Sequence, residues 1–211
     1  NEFVVCLGYK GYMIKEFFAN YHLHTSDITI EVQSGAMSVH NRYGEPWKVA
    51  LIDTGQTTMT GGRMLRISSY LKNNGPFFLT YGDGVADINL IELFRYHRQQ
   101  GRQATVTAVK PPGRFGALAI DQSGIVSSFL EKPDGDGGRI SGGFFVFEES
   151  VFDYLGDDNC VLEKEPLERL SNERQLAAYS HPGFWAAMDT LRDKQQLDNL
   201  WQSARAPWRI W

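Results

Sequence analysis

The sequence predicts an α/β domain, because short β-branched and aromatic runs alternate with stretches of helical periodicity and glycine-marked turns separate them. Its 211 residues, 42% of them hydrophobic, can bury a sizeable core and fit one such domain better than two independent ones. Strands alternating with helices imply a parallel sheet with right-handed crossovers.

Phe3 to Leu7 reads as a buried strand, followed by the turn Gly8-Tyr9-Lys10-Gly11 and a helix from Tyr12 to about Tyr21, with Ile14, Phe17 and Phe18 at helix spacing. Ile28 to Val32 alternates like a half-exposed strand and Trp47 to Ile52 is a second, with the polar stretch Gln33 to Glu45 expected as an irregular connection. Thr60 is expected to cap a helix running to Leu71, which places Met64, Ile67 and Leu71 on one face. The apolar run Pro76 to Thr80 is a buried strand ending in Tyr81-Gly82-Asp83-Gly84. Asp87 or Asn89 caps a helix from Leu90 to about Gln100, Gly101 closes it, and Ala104 to Val109 forms the next strand. From Pro111 short strands (117–120, 125–130, 143–147) between Gly- and Pro-rich turns suggest an antiparallel or mixed extension. A short helix near Pro166 to Leu170, a strand near Leu176 to Tyr179 and an amphipathic helix from about Thr190 to Ala204 complete the chain.

A net charge of −4 gives no general attraction to nucleic acid or to an anionic membrane, so any phosphate chemistry is confined to a pocket. No apolar stretch approaches membrane-spanning length. Two cysteines build no disulfide framework, which points to a reducing, cytoplasmic setting, and Cys6 in its apolar run reads as a small core residue. The chain opens at Asn1 almost directly on a hydrophobic strand, which is expected to have a paired neighbour.

Asp83 stands between two glycines at the carboxyl end of a strand, where open α/β sheets bind ligands and where hydrated Mg²⁺ or a bulky anion can approach. Gly-Asp-Gly is equally ordinary turn chemistry. Asp189, in Met188-Asp189-Thr190, directly precedes the last helix, where a carboxylate can cap or can meet Asp83 across a cleft; two oxygen ligands plus phosphates and waters are the usual way to hold Mg²⁺. Thr58-Met59-Thr60-Gly61-Gly62-Arg63 offers hydroxyls, two glycines and a guanidinium at a helix start, which suits a nucleotide pocket as well as it suits capping. In Glu131-Lys132-Pro133 a strand ends beside an acid that can accept sugar hydroxyls and a base that can hold a phosphate. Arg114-Phe115-Gly116 and Ser141-Gly142-Gly143 set glycines at strand entrances, fit for a sugar's approach or for tight turns.

Taken in order, Thr60-Gly61-Gly62-Arg63, Tyr81-Gly82-Asp83-Gly84, Arg114-Phe115-Gly116, Glu131-Lys132-Pro133, Ser141-Gly142-Gly143 and Met188-Asp189-Thr190 resemble the sugar-1-phosphate nucleotidyltransferases. Gly8-Tyr9-Lys10-Gly11, Asp53-Thr54-Gly55, Pro111-Pro112-Gly113 and the Trp-rich ending through Pro207-Trp208 are most similar to the bacterial branch that joins CTP to glucose 1-phosphate. The resemblance implies a Rossmann-like nucleotidyltransferase fold, with a mixed, mostly parallel sheet flanked by helices and a smaller antiparallel sugar-binding extension. It implies Mg²⁺-dependent formation of CDP-glucose and pyrophosphate toward the dideoxy sugars of O-antigen. Asp83 and Asp189 match the metal ligands; with Lys132, which matches the sugar-phosphate contact, they form the catalytic set. Thr58, Arg63 and Gly82 match the nucleotide pocket, and Gly116, Glu131 and Gly143 face the hexose.

On the same resemblance the whole of 1–211 is one domain truncated at its amino terminus, with 1–110 binding nucleotide and 111–211 binding sugar phosphate and serving oligomerisation. The family's opening strand and glycine-rich loop are missing, so this polypeptide alone is expected to be impaired. The tryptophans Trp201, Trp208 and Trp211 suit a homo-oligomer interface. The alternatives are another base (dTTP, UTP or GTP) and a non-catalytic sugar-nucleotide-binding subunit.

Overall fold

The computed structural model describes residues 1–41, 44–111, 117–120, 122–130 and 138–210. Its contacts fall into two units: Asn1–Lys72 with Tyr154–Pro166, and Asn73–Asp153 with Leu167–Trp211.

In the first unit, β1 (Glu2–Leu7) becomes more buried toward its carboxyl end, and Leu7 is 2% exposed. The turn after it places Lys10 in the left-handed region (φ 53°), and α1 (Gly11–Ala19) and α2 (Tyr21–Thr25) follow. β2 (Asp27–Glu31) and β3 (Ala36–His40) then form an antiparallel hairpin around Gly35 (φ 73°). β3 corrects the expected irregular connection: the Ser34-Gly35 turn closes a hairpin that sets Ile28 opposite Val39 and Ile30 opposite Met37, so the brief alternation Met37-Ser38-Val39-His40 inside the polar stretch is the strand's signal. β4 (Lys48–Asp53) runs parallel to β1, Cys6 opposite Ile52.

The expected helix from Thr60 to Leu71 is two helices, α3 (Thr60–Arg66) and α4 (Ser68–Leu71), interrupted at Ile67. Thr60 is not the cap; Met59 holds that position. The Thr60 hydroxyl instead donates to Glu163 Oε2 (2.7 Å) and accepts from the Leu162 amide (2.9 Å). Among the described residues, Leu7, Met64, Ile67 and Leu162 are buried hydrophobic side chains of this unit.

The second unit begins with β5 (Phe77–Thr80), β6 (Gly84–Ala86) and α5 (Leu90–Gln100). Of the two expected caps, Asn89 is the one used: its Oδ1 accepts from the Ile91 and Glu92 amides at 3.0 and 3.1 Å, and Gly101 closes the helix at φ 57°. β7 (Ala104–Val109), the hairpin β8 (Ala117–Ile120) and β9 (Val126–Leu130), β10 (Ile140–Phe147), a 3₁₀ turn (Glu149–Tyr154), α6 (Glu165–Asn172), β11 (Leu176–Ser180), β12 (Trp185–Ala187) and α7 (Leu191–Gln202) complete the chain.

The main sheet has the order β11-β7-β10-β5, so it takes strands from both sides of residue 110. Only β11 and β7 are parallel within it, because β10 returns antiparallel between β7 and β5. The antiparallel share therefore exceeds the mostly parallel expectation. Phe145, Val146 and Phe147 of β10 are at most 1% exposed, and Phe145 stacks on Phe147 at 5.2 Å. Each such side chain contributes about 1.5–3 kcal/mol by leaving water. On the opposite strand face Val146 joins Ile88 and Leu93, the residue through which α5 covers the sheet. Of the tryptophans expected at an oligomer interface, Trp208 stacks on Phe184 at 5.5 Å within its own unit; Trp201 is half exposed under the Arg209 guanidinium, and Trp211 lies outside the described residues.

Candidate active site

β5 delivers the chain to Tyr81, and the turn Gly82-Asp83 then feeds β6. β6 pairs antiparallel with β12 over three positions, Trp185 opposite Ala86, Ala186 opposite Val85 and Ala187 opposite Gly84. The pairing continues one step further, since the Met188 amide donates to the Asp83 carbonyl at 2.7 Å. Asp189 is the next residue. The two acids, 106 positions apart in the chain by subtraction of their numbers, thus leave the same end of one short ladder, and both are exposed.

Asp189 is not the cap of α7. Thr190 caps it with a reciprocal box: Thr190 Oγ1 accepts from the Asp193 amide at 3.2 Å, and Asp193 Oδ2 accepts from the Thr190 amide at 2.9 Å. The Thr-x-x-Asp spacing carries that signal in the sequence.

Two hard oxygen donors with open space suit Mg²⁺, which keeps waters and takes substrate phosphates instead of a closed protein cage. Among the described residues no three His, Cys, Asp or Glu side chains gather as a denser metal cluster would require. Gly82 beside Asp83 is exposed, and a Cβ there would meet nothing within 4 Å. Gly143 sits at φ 72°, and a Cβ on it would come 2.8 Å from Tyr81 Cδ2. That glycine admits the Tyr81 ring, and it belongs to the irregular stretch of β10 between Ser141 and Phe145. Gly116, Glu131 and Lys132 lie outside the described residues.

Thr58 and Arg63 belong to the first unit. The helix start there corrects the expected open anion cradle: the Met59 amide donates to Asp158 O (2.8 Å), and the Gly61 and Gly62 amides donate to Cys160 O (2.9 and 3.2 Å). The paired glycines serve that packing, since a Cβ on Gly61 would lie 2.6 Å from Cys160 Sγ and one on Gly62 2.7 Å from Asp158 Cα. Arg66 pairs with Asp158, raising its own pKa and holding the Asp158 carboxyl below the usual carboxylate range.

Arg63 also turns inward. Its Nη1 donates to Leu7 O (3.0 Å) and Thr54 Oγ1 (2.7 Å), while the fully buried Thr54 hydroxyl donates to the same carbonyl at 2.9 Å. Arg63 thereby ties the carboxyl ends of β1 and β4 together, and a Cβ on Gly8 would come 2.6 Å from Arg63 Nη2, so a side chain there would displace the guanidinium. Thr58 is 7% exposed beside Gly55 (φ 88°). Sequence reasoning missed Thr54, whose signal was only its place after a strand. Burial pushes the Cys6 thiol up despite the opposing charge of Arg63, in keeping with a packing role.

Comparison with known proteins places this geometry in context. A family model described as nucleotidyl transferase matches residues 13–187. The chain is 52% identical over 210 residues to glucose-1-phosphate cytidylyltransferase of Salmonella typhi, covering all of this chain and 81% of that protein. It is 40% identical over 212 residues to a probable glucose-1-phosphate cytidylyltransferase of Bacillus subtilis, covering all of this chain and 82% of that protein. Among solved structures, HddC from Yersinia pseudotuberculosis superposes with a TM-score of 0.60 at 16% identity, over 92% of this chain and 76% of that one, a likeness of fold.

Proposed function

This chain belongs to the nucleotidyl transferase family, and from that premise we propose that it is a glucose-1-phosphate cytidylyltransferase, transferring CMP from CTP to α-D-glucose 1-phosphate with release of pyrophosphate. Identity over the whole chain to relatives of that name supports the substrates. The observation that carries the mechanism is the convergence of Asp83 and Asp189 at one end of the β6–β12 ladder.

A phosphate oxygen of the sugar attacks the α-phosphorus of CTP in line, the bond to the bridging oxygen breaks, and pyrophosphate carries away the electron pair. No protein nucleophile is needed, and what the chain contributes is position and charge. Asp83 and Asp189 would hold Mg²⁺, which when bound would supply charge neutralisation between the two anionic reactants. Main-chain pairing brings the backbone at Asp83 and at Met188, next to Asp189, to one ladder end, which supports their joint assignment. Gly82 leaves room for a phosphate or ribose beside Asp83. Thr58 and Arg63 shape the turns after β1 and β4 that we assign to the nucleotide, Arg63 through the Leu7 carbonyl. By the resemblance, Lys132 holds the sugar phosphate, and Glu131, Gly116 and Gly143 border the hexose.

No helix among the described residues is long and apolar enough to cross a membrane. A cytoplasmic enzyme supplying CDP-glucose for O-antigen dideoxy sugars, assembled as a homo-oligomer, completes the proposal. Pyrophosphate release from CTP and glucose 1-phosphate tests it, with dTTP, UTP and GTP run in parallel to establish the base. Asp83→Asn is expected to lower kcat by about a hundredfold or more, at least the cost of losing an outer-shell partner, without loss of fold. Unchanged turnover in that variant removes Asp83 from the metal site.

A further inference from the structure

The geometry points to His181 and Asp87 as positioning residues for the two carboxylates, acting from the opposite end of the β6–β12 ladder; this rests on the metal reading proposed above. His181 follows β11, is 7% exposed, and its amide donates to Ala108 O at 3.0 Å, so it is anchored to the main sheet. Its Nε2 lies 2.9 Å from Asp87 Oδ1 and 3.2 Å from Phe184 O. Both partners are acceptors, so Nε2 carries the proton and donates to both. The Asp87 amide donates to Phe184 O at 3.2 Å, which makes Asp87 and Phe184 the step that follows Ala86 and Trp185 in the ladder.

The loop is fitted around this contact. A Cβ on Gly183 would collide with Asp87 Oδ1 and sit 2.8 Å from His181 Cε1. One step along, Trp185 Nε1 donates to Gly142 O at 2.8 Å, a second tie to the main sheet. A three-residue antiparallel ladder cannot hold itself in place in water. The link from β5 holds the acids' end of the ladder, so the ties made by His181, Asp87 and Trp185 fix its other end and with it the ladder's orientation, about 13 Å from the acids at ~3.3 Å per residue. Asp87 is spent on this contact and does not cap α5.

Mn²⁺ binding, read by electron paramagnetic resonance on the whole chain with the metal as the only ligand, tests this alongside melting temperature and the split between kcat and KM. His181→Leu is expected to raise the Mn²⁺ Kd about tenfold, the size found for outer-shell partners of metal ligands, and to lower kcat more than it raises KM for CTP. His181→Gln, which can restore a donor at the Nε2 position, recovers most of both. If the leucine variant does not fold, Asp87→Ala carries the test, since that side chain is partly exposed. Asp87→Ala weakens Mn²⁺ similarly, whereas Asp87→Asn, which keeps the acceptor and drops the charge, binds Mn²⁺ as the parent does.

Equal weakening in the alanine and asparagine variants would overturn the proposal by assigning the effect to charge. A parental Mn²⁺ Kd in the folded variants would overturn it too, and Asp83→Asn tells the two failures apart. If Asp83→Asn weakens Mn²⁺ while the His181 and Asp87 variants do not, positioning fails alone; if Asp83→Asn binds normally, the metal reading fails with it.

Discussion

Replacing Gly62 by alanine sets two effects of opposite sign against each other. In the first turn of α3 an added methyl favours the helix, by up to about 1 kcal/mol in a helix interior and less near its start. The same methyl would sit 2.7, 2.8 and 2.9 Å from Asp158 Cα, O and C, all of them backbone atoms that no rotamer change can move. Relief requires segment 158–160 to withdraw, and that segment also accepts from the Met59, Gly61 and Gly62 amides and carries the Asp158 partner of Arg66. Overpacking of this kind costs about 1–3 kcal/mol, and strained backbone hydrogen bonds add about 1 kcal/mol. The packing side wins, with a net loss of about 1–3 kcal/mol. For a chain of this length that is a fall in Tm of roughly 2–12 °C, measured by circular dichroism or calorimetry. A Tm equal to or above the parent's would mean that the segment yields freely, and the account of the paired glycines as packing residues would be wrong.

Three other outcomes follow from the same structure. Gly82→Ala meets nothing within 4 Å, so Tm should move by no more than the ~0.5 kcal/mol of a surface change, while kcat/KM for CTP drops about tenfold (~1.4 kcal/mol) if this glycine admits the ligand; unaltered kinetics would remove Gly82 from the pocket. Asn89→Ala removes the side-chain cap of α5 and should cost about 1 kcal/mol, read as a denaturant midpoint; no change would show that Asn89 caps without stabilising. His97, 1% exposed with Nδ1 2.8 Å from Thr105 Oγ1, has its pKa lowered by burial, and nearby Glu148 opposes this only in part. The unfolded chain then takes up a proton near pH 6.5 that the folded chain refuses, so stability is full above that pH and declines as pH falls toward the folded value. His97→Asn should flatten the dependence of Tm between pH 7.5 and 5.5, and an identical slope in parent and variant would assign it to other groups.

Much of the scaffold is written locally in the chain. The run 104–109 is a strand by its β-branched alternation, α5 is bounded by Asn89 and Gly101, and Thr190 with Asp193 spells the cap of α7, because caps and periodic faces are satisfied by neighbours a few residues away. The ordered motifs, each weak alone, are enough together to point to the family. What they could not reveal is the partner each group finds.

Thr60 and the Gly61 and Gly62 amides read as a free helix start, yet their partners lie about a hundred residues on, at 160–163. Arg63 reads as a ligand-facing cation, yet it binds a carbonyl at the end of β1. β6 and β12 are three residues each, too short for any periodicity, so only the folded chain could bring Asp83 and Asp189 to one ladder end. A hydrogen bond between distant segments depends on where the whole backbone goes, and short-range pattern holds no record of that path.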